Sequence, residues 1–158
     1  MDTIDQMRML LREKTILLGQ YGQETMRLDT DDSEAVDEIV AAVEARQALI
    51  DKIDGLDKQM EGLRDGSAYG KRCYSIGRNR CDYSSLNEGE QGLFRDGQAV
   101  FTMITRIQEL EAGVPGKMAA IQARLQEKIK QNNVNGRFTG YLKQMNQGSK
   151  GVLYDKRR

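Results

Sequence analysis

The sequence of 158 residues contains no histidine, no tryptophan, one proline and two cysteines. Without histidine, the chain lacks the usual general base of nucleophilic catalysis and the Glu-x-x-His ligands of di-iron helical bundles. Cys73 and Cys81 supply at most two of the four ligands that a structural zinc site takes. The chain also has no glycine-rich phosphate-binding motif. These absences predict a protein that is not an enzyme, with no catalytic residues, metal or cofactor.

Long apolar runs are missing as well. No stretch reaches the roughly 18 to 20 apolar residues that span a bilayer. Residues 1–5 are acidic, whereas a signal peptide starts with basic residues followed by an apolar core. We therefore expect a cytoplasmic protein without membrane insertion, in which Cys73 and Cys81 stay reduced.

The net charge is zero, but the charges are unevenly distributed along the chain. Residues 1–63 carry 15 acidic and 7 basic side chains, whereas residues 131–158 carry 1 acidic and 6 basic side chains. The acidic half is typical of solvated helix faces, and the basic end suits an acidic partner, nucleic acid or lipid headgroups. A sequence pI near 6.4, without a domain-wide basic footprint, argues against nucleic acid.

The strongest positive signal is an apolar seam whose spacing alternates between four and three residues. Its first part comprises Leu49, Ile53, Leu56, Met60 and Leu63, and its second part Leu93, Val100, Ile104, Ile107, Val114, Met118, Ile121 and Leu125. This rhythm is typical of helices that pack as coiled coils. We therefore predict an all-α fold, an elongated antiparallel helical hairpin or bundle with coiled-coil packing.

Helix start and stop signals divide the chain further. They predict three long helices, over residues 3–28, 33–63 and 86–131. Asp31 with Glu34, and Ser85 with Glu88, resemble capping boxes that open the second and third helices. Pro115 interrupts the third helix, and because the apolar register continues across it, we favour a kink over a break.

Glycines mark two places where the helical pattern weakens. Gly19 and Gly22 are either a soft spot in the first helix or a site where another helix approaches closely. Residues 64–92 are rich in glycine, mix tyrosine with arginine and follow no period, which predicts a long flexible loop. The predicted organisation is a helical bundle domain over residues 1–136 and a basic flexible tail over residues 137–158.

The second helix and the C-terminus carry a family resemblance. After a short acidic break the second helix includes Glu44-Ala45-Arg46-Gln47-Ala48-Leu49-Ile50, and the chain closes with SKGVLYDKRR. Together these residues resemble small cytosolic flagellar export chaperones of the FlgN and FliT kind. The resemblance covers nearly the whole chain in architecture, but the segment 64–92 is not expected of that family.

The resemblance implies a function and partners. Members bind the C-terminal helical segment of a secreted flagellar subunit, either a hook–filament junction protein or the filament cap protein. They keep this cargo soluble and deliver it to the export machinery. For this chain the resemblance implies such a cargo, contacts with export gate and ATPase components, and a monomer or weak homodimer. Tyr141 and Tyr154 are the candidates for the tyrosine that docks on the export gate.

The implied mechanism places the cargo helix in a groove between the first and third helices, with its apolar face inward. The candidate partner-binding residues, which the sequence alone assigns equally to groove or core, are Met7, Leu11, Leu18, Ile104, Ile107, Met118 and Ile121.

Two other functions stay open. One is a self-associating coiled-coil protein with a structural or regulatory role. The other is nucleic-acid binding through Arg72, Arg78, Arg80 and the tail, because tyrosines among arginines can stack on bases. The spacing of these residues matches no RNA-binding module, which argues against the second.

Overall fold

A computed structural model describes residues 1–128 together with residues 140 and 143. The described chain is helical and contains no strand, so the all-α prediction is confirmed. The helices are α1 (Thr3–Arg27), α2 (Val36–Gly66), α3 (Ala68–Gly77), α4 (Glu88–Glu111) and α5 (Val114–Lys128), with a 3₁₀ turn at Tyr83–Ser85. The predicted tail lies outside the described residues, apart from Gly140 and Lys143, and so do Tyr141 and Tyr154.

The chain divides into two compact units. Within the described residues, unit 1 comprises Met1–Gly19 and Asp51–Thr105, whereas unit 2 comprises Gln20–Ile50 and residues 106–128. Helices α1, α2 and α4 each contribute residues to both units. The prediction of one domain over residues 1–136 stays a prediction.

Unit 1 packs α3 and parts of α1, α2 and α4 around an apolar core. Lys14 of α1 contacts Asp57 of α2, and Leu10 lies beside Leu63. Helices α1 and α2 are therefore antiparallel in unit 1. Helix α4 runs parallel to α1 in unit 1, because Arg8 Nε lies 2.8 Å from Asp96 Oδ2 and Gly19 lies beside Met103. The fully buried core side chains include Met7, Leu18, Ile53, Ile76, Leu93 and Ile104.

Unit 2 is built around one apolar cluster at the end of α1, the start of α2 and α5. Its buried members are Leu28, Ile39, Ala42, Val43, Val114, Met118, Ile121 and Leu125. Their spacing of three and four residues on α2 and α5 places each set on one helix face. Two polar contacts border the cluster: Lys117 bonds the carboxylate of Asp29, and Arg124 Nη1 donates to the Asp31 carbonyl oxygen at 2.7 Å.

The prediction of a long loop over residues 64–92 was correct only for residues 78–87, which connect α3 to α4 and include the 3₁₀ turn, and was wrong for the rest of the segment. Helix α2 continues to Gly66, and ten residues of the supposed loop form α3. The glycines here allow close approach instead of breaking the helices. A Cβ on Gly70 would lie 1.8 Å from the Leu63 carbonyl oxygen, and one on Gly97 would lie 1.9 Å from the Gly77 carbonyl oxygen. Only glycine permits α3 to pack this closely against its neighbours.

Both predicted capping boxes were misplaced. Helix α2 starts at Val36, and it is Asp32 whose Oδ1 accepts a hydrogen bond from the Glu34 backbone N–H at 2.9 Å. At α4, the Asn87 side chain accepts from the Glu90 backbone N–H at 2.9 Å, and the Glu90 carboxylate accepts from the Asn87 backbone N–H at 3.2 Å. Asparagine thus takes the capping role that the sequence pattern assigned to Ser85.

The predicted third helix is two helices, so the count of three long helices and the preference for a kink were wrong. Helix α4 ends at Glu111, and α5 starts at Val114, with Pro115 in its first turn. Backbone N–H groups in a first turn have no helical acceptor, so proline loses no hydrogen bond there. The apolar register persists across the break because α5 buries Val114 and Met118 in unit 2.

Candidate functional site

The candidate partner-binding residues inside the described chain are core residues. Met7, Leu11, Leu18 and Ile104 are buried in unit 1, and Ile107, Met118 and Ile121 in unit 2. The most exposed of the seven, Leu11, has 6% of its surface accessible. Of the two roles that the sequence left open, the structure shows the core role. A contact with a partner would require these helices to separate, and it stays a prediction.

An open groove lies elsewhere, between the N-terminal turns of α1 and the C-terminal turns of α2 in unit 1. It has a volume of about 440 Å³ and is lined by Met1, Gln6, Met9, Leu10, Gln59, Gly62 and Leu63. Sequence reasoning missed this groove because Met9 was not among the apolar residues selected on the first helix, and Gly62 lay unremarked inside the predicted second helix. The available signal of the groove in the sequence was Met9, an apolar residue on the polar face of the first helix.

The lining of the groove combines exposed apolar side chains with a gap on α2. Met1 and Met9 are 78% and 49% exposed, although both are large and apolar. A Cβ placed on Gly62 would meet nothing within 4 Å, so the α2 backbone is open at that position. Gln6 Nε2 donates to the Met1 carbonyl oxygen at 2.9 Å, which holds the start of the chain at the groove edge. Flexible methionines beside an open backbone suit an apolar side chain from a partner.

A buried ion pair lies close to the groove along the same two helices. Lys14 Nζ and Asp57 Oδ1 are 2.7 Å apart, and each side chain is only 7% exposed. The second carboxylate oxygen, Oδ2, has no hydrogen-bond partner within the described residues. Buried charges carry a large desolvation cost, which offsets much of the Coulomb attraction between Lys14 and Asp57.

Another ion pair of unit 1 joins α3 to α4. Arg72 Nε and Nη2 lie 2.9 and 3.3 Å from the two carboxylate oxygens of Glu90. These hydrogen bonds, more than the bond from the Asn87 backbone, hold the pKa of Glu90 below its ordinary value. The same carboxylate raises the pKa of Arg72. The arrangement holds α3 against the start of α4.

The two cysteines show no sign of an activated thiolate. Cys73 is buried on α3 and Cys81 is exposed in the segment after it, and both are free thiols. Desolvation raises the pKa of each thiol; the smaller opposing effects are the Tyr69 hydrogen bond and then the Arg72 charge at Cys73, and the Arg72 charge at Cys81. Activated cysteines have a lowered pKa instead. Cys73 therefore serves as a small apolar side chain on the buried face of α3.

Two further features limit the chemistry of the described residues. In residues 1–128, 140 and 143 no group of three or more cysteine, aspartate and glutamate side chains is placed to hold a metal ion. Among the helices that the structure describes, none combines the length and apolarity needed to cross a membrane. The groove between α1 and α2 is a candidate site, and its apolar lining suits binding of an apolar side chain.

Comparisons of the chain with models of known protein families, with curated proteins and with solved structures find no match. The resemblance to flagellar export chaperones therefore rests on the residue patterns of the second helix and the C-terminus.

Proposed function

We propose that this protein is a cytoplasmic flagellar type III export chaperone. It binds the C-terminal helical segment of a secreted hook-associated subunit, keeps that segment soluble and delivers it to the export gate. The observation that most supports this proposal is the open groove between α1 and α2, with its exposed Met1 and Met9. An amphipathic helix that lies in a groove buries its apolar face in this way.

The groove differs from the one that the sequence suggested. The proposed cargo site lies between α1 and α2, because the residues chosen between the first and third helices are buried. Burial of each large apolar side chain of the cargo contributes roughly 1.5 to 3 kcal/mol. Micromolar affinity corresponds to about −8 kcal/mol. Several such anchors therefore suffice after the cost of association is subtracted.

Isothermal titration calorimetry tests the proposal directly. The full chain is titrated with C-terminal helical segments of the hook–filament junction proteins and the filament cap protein from the same genome. We expect one-to-one binding to one of them with a micromolar or lower Kd. An absence of heat with every segment, at several temperatures, contradicts the proposal.

A pair of glycine variants locates the site. Gly62→Leu places a side chain in the groove, whereas Gly55→Leu changes the same helix outside the groove, and a Cβ on either glycine meets nothing within 4 Å. Both variants remove a glycine from a helix interior, so neither is expected to destabilise α2. We expect Gly62→Leu to weaken cargo binding at least about tenfold, or by about 1.4 kcal/mol. Equal affinity of the two variants would place the cargo elsewhere.

The alternative function is a self-associating coiled-coil protein with a structural or regulatory role. One observation favours it: Met9 and Ile16, seven residues apart on α1, are 49% and 62% exposed. Apolar residues at heptad spacing on an outer face fit a seam between helices of different chains. Analytical ultracentrifugation at about 0.5 M salt separates the two functions, because a seam of this kind persists when charges are screened. A large oligomer favours the coiled coil, and a monomer favours the chaperone.

A further inference from the structure

The surface of α3 in unit 1 is basic, and the cargo groove does not include it. Lys71, Tyr74 and Arg78 recur at spacings of three and four residues, so they share one helix face, and Arg80 follows just past the helix end. We call these four residues the basic face. Lys71 and Arg80 are exposed, and no acidic residue occurs between Ser67 and Cys81.

Two arginines pack against the ring of Tyr74, the tyrosine of the basic face. The guanidinium carbons of Arg64 and Arg78 lie 4.9 and 5.5 Å from the centre of the Tyr74 ring. The Tyr74 hydroxyl also accepts a hydrogen bond from Arg78 Nη1 at 3.2 Å. A ring packed in this way is poorly placed to stack on a nucleobase. Arg64 already pairs with Asp65, whose carboxylate oxygens lie 2.8 and 3.2 Å from its Nε and Nη2. The exposed cations that the basic face presents to a carboxylate are therefore Lys71 and Arg80.

A matching acidic surface exists on the same chain, in unit 2. It surrounds the turn between α1 and α2 and comprises the exposed side chains of Asp29, Asp31, Asp32, Glu34, Asp37 and Glu38. We call it the acidic turn. Lys117 bonds the Asp29 carboxylate, and Arg124 bonds the Asp31 carbonyl oxygen and not a carboxylate. Residues 29–45 contain no lysine or arginine.

We propose that copies of this chain associate through two different surfaces, with the basic face of one copy on the acidic turn of another. Complementary patches of opposite charge raise the encounter rate and fix orientation, and they add modest affinity. Ion pairs between exposed side chains contribute little individually, so the association is weak and salt-sensitive. This surface is separate from the cargo groove, so cargo binding does not depend on it.

Sedimentation velocity of the full chain tests the association. Concentrations from about 5 to about 200 µM cover the range of a weak complex. At about 20 mM NaCl we expect the weight-average sedimentation coefficient to rise with concentration. At about 0.5 M NaCl, where screening is nearly complete within a few ångströms, we expect the monomer value throughout. A concentration-independent monomer at low salt overturns the proposal, and so does an oligomer that persists at high salt.

Charge-reversal variants test which surfaces meet. Lys71→Glu with Arg80→Glu reverses the basic face, and Asp31→Lys with Glu34→Lys reverses the acidic turn; all four side chains are exposed. We expect each variant alone to associate at least tenfold more weakly than the unmodified chain. An equimolar mixture of the two variants should associate again, because each reversed surface then meets a surface of opposite charge.

The matched control reverses two exposed lysines of α2 in the same unit, Lys52→Glu with Lys58→Glu. This control changes the net charge as much as the basic-face variant, but it leaves both proposed surfaces intact. We expect it to associate like the unmodified chain. Equal weakening by the control would show a general charge effect, and a mixture of the two reversal variants that stays monomeric would also overturn the proposal.

Discussion

Among the described residues each unit has one buried cation, and the two cations have different surroundings. In unit 1 the Lys14 ammonium faces a single carboxylate oxygen of Asp57 at 2.7 Å. In unit 2 the guanidinium carbon of Arg46 lies 4.5 Å from the centre of the Tyr21 ring, and Arg46 also bonds the Tyr21 hydroxyl and the Glu111 carboxylate. The lysine charge thus has one partner of opposite charge, whereas the arginine charge is spread over several contacts.

The difference shows that burial alone does not set the cost of a buried charge. Arginine is delocalised and weakly hydrated, and it stacks on aromatic rings, whereas the lysine ammonium is a strongly hydrated point charge. Glu111 is also 15% exposed and keeps some contact with water, whereas Asp57 is 7% exposed. The free energy of unfolding should therefore fall more when Lys14 of unit 1 is replaced than when Arg46 of unit 2 is replaced.

The largest expected effect tests the pair in unit 1. Lys14→Met leaves the Asp57 carboxylate buried without its counter-charge, and we expect the free energy of unfolding to fall by about 3 to 5 kcal/mol. Adding Asp57→Leu should recover most of that loss, because the double variant buries two apolar side chains instead. Urea denaturation of the three proteins at neutral pH measures both changes. A loss below about 1 kcal/mol in the single variant would show that water reaches Asp57.

The next effect contrasts a close-approach glycine in unit 1 with a glycine in unit 2. Gly97→Ala places a Cβ 1.9 Å from the Gly77 carbonyl oxygen, so we expect a loss of about 3 kcal/mol as α3 and α4 move apart. Gly22→Ala is the control, because its Cβ would lie 3.5 Å from Ile107 Cγ1, which is ordinary contact. The control should be neutral or stabilising by up to about 1 kcal/mol. Thermal unfolding monitored by circular dichroism compares them, and similar melting temperatures would contradict this packing of α3.

A smaller loss is expected from the buried cation of unit 2. Arg46→Met removes the stacking on Tyr21 and the bond to Glu111, but Glu111 stays partly hydrated. We expect the free energy of unfolding to fall by about 2 kcal/mol, roughly half the loss caused by Lys14→Met. The measurement is urea denaturation of both variants under one set of conditions. Equal losses would contradict the expectation that removing Lys14 costs more stability than removing Arg46.

The smallest effect concerns the pH dependence of the contact between α3 and α4. Because hydrogen bonds from Arg72 lower the pKa of Glu90, the ionised carboxylate stabilises the fold above the ordinary carboxyl pKa of 4.5. That contribution is lost as the pH falls through the lower pKa of the folded state. Arg72→Gln should raise the pKa of Glu90 and destabilise the protein more at about pH 7 than at about pH 3. Equal destabilisation at both pH values would contradict this linkage, and an NMR titration of Glu90 would locate the pKa itself.

The apolar periodicity of the sequence identified the core residues correctly. Leu18, Ile53 and Ile121 were chosen from spacing alone, and the structure buries all three. Periodicity works because one helix face packs against a neighbour, whichever neighbour that is. It also explains why the groove and core roles stayed unresolved. The same stripe serves either role, and only the position of the other helices decides between them.

The two main errors over α3 and the groove share one cause. Glycine was taken as a sign of a loop around Gly70, although there it lets helices approach. Gly62 gave no hint of a site, although its missing side chain opens the groove on α2. The conformational preference of glycine is a property of the chain, whereas the space around it is a property of the packed structure.

The sequence by itself determined the all-α class, the apolar helix faces and the uneven charge along the chain, because these depend on residue type and spacing. Only the tertiary structure decided that residues 68–77 form a helix, that the seam residues apart from Leu63 are core, and that an open groove lies beside Met9. It also decided that Lys14 is buried against Asp57 while Lys71 is exposed. Burial, close approach and charge pairing depend on residues far apart in the chain, and no local pattern encodes those distances.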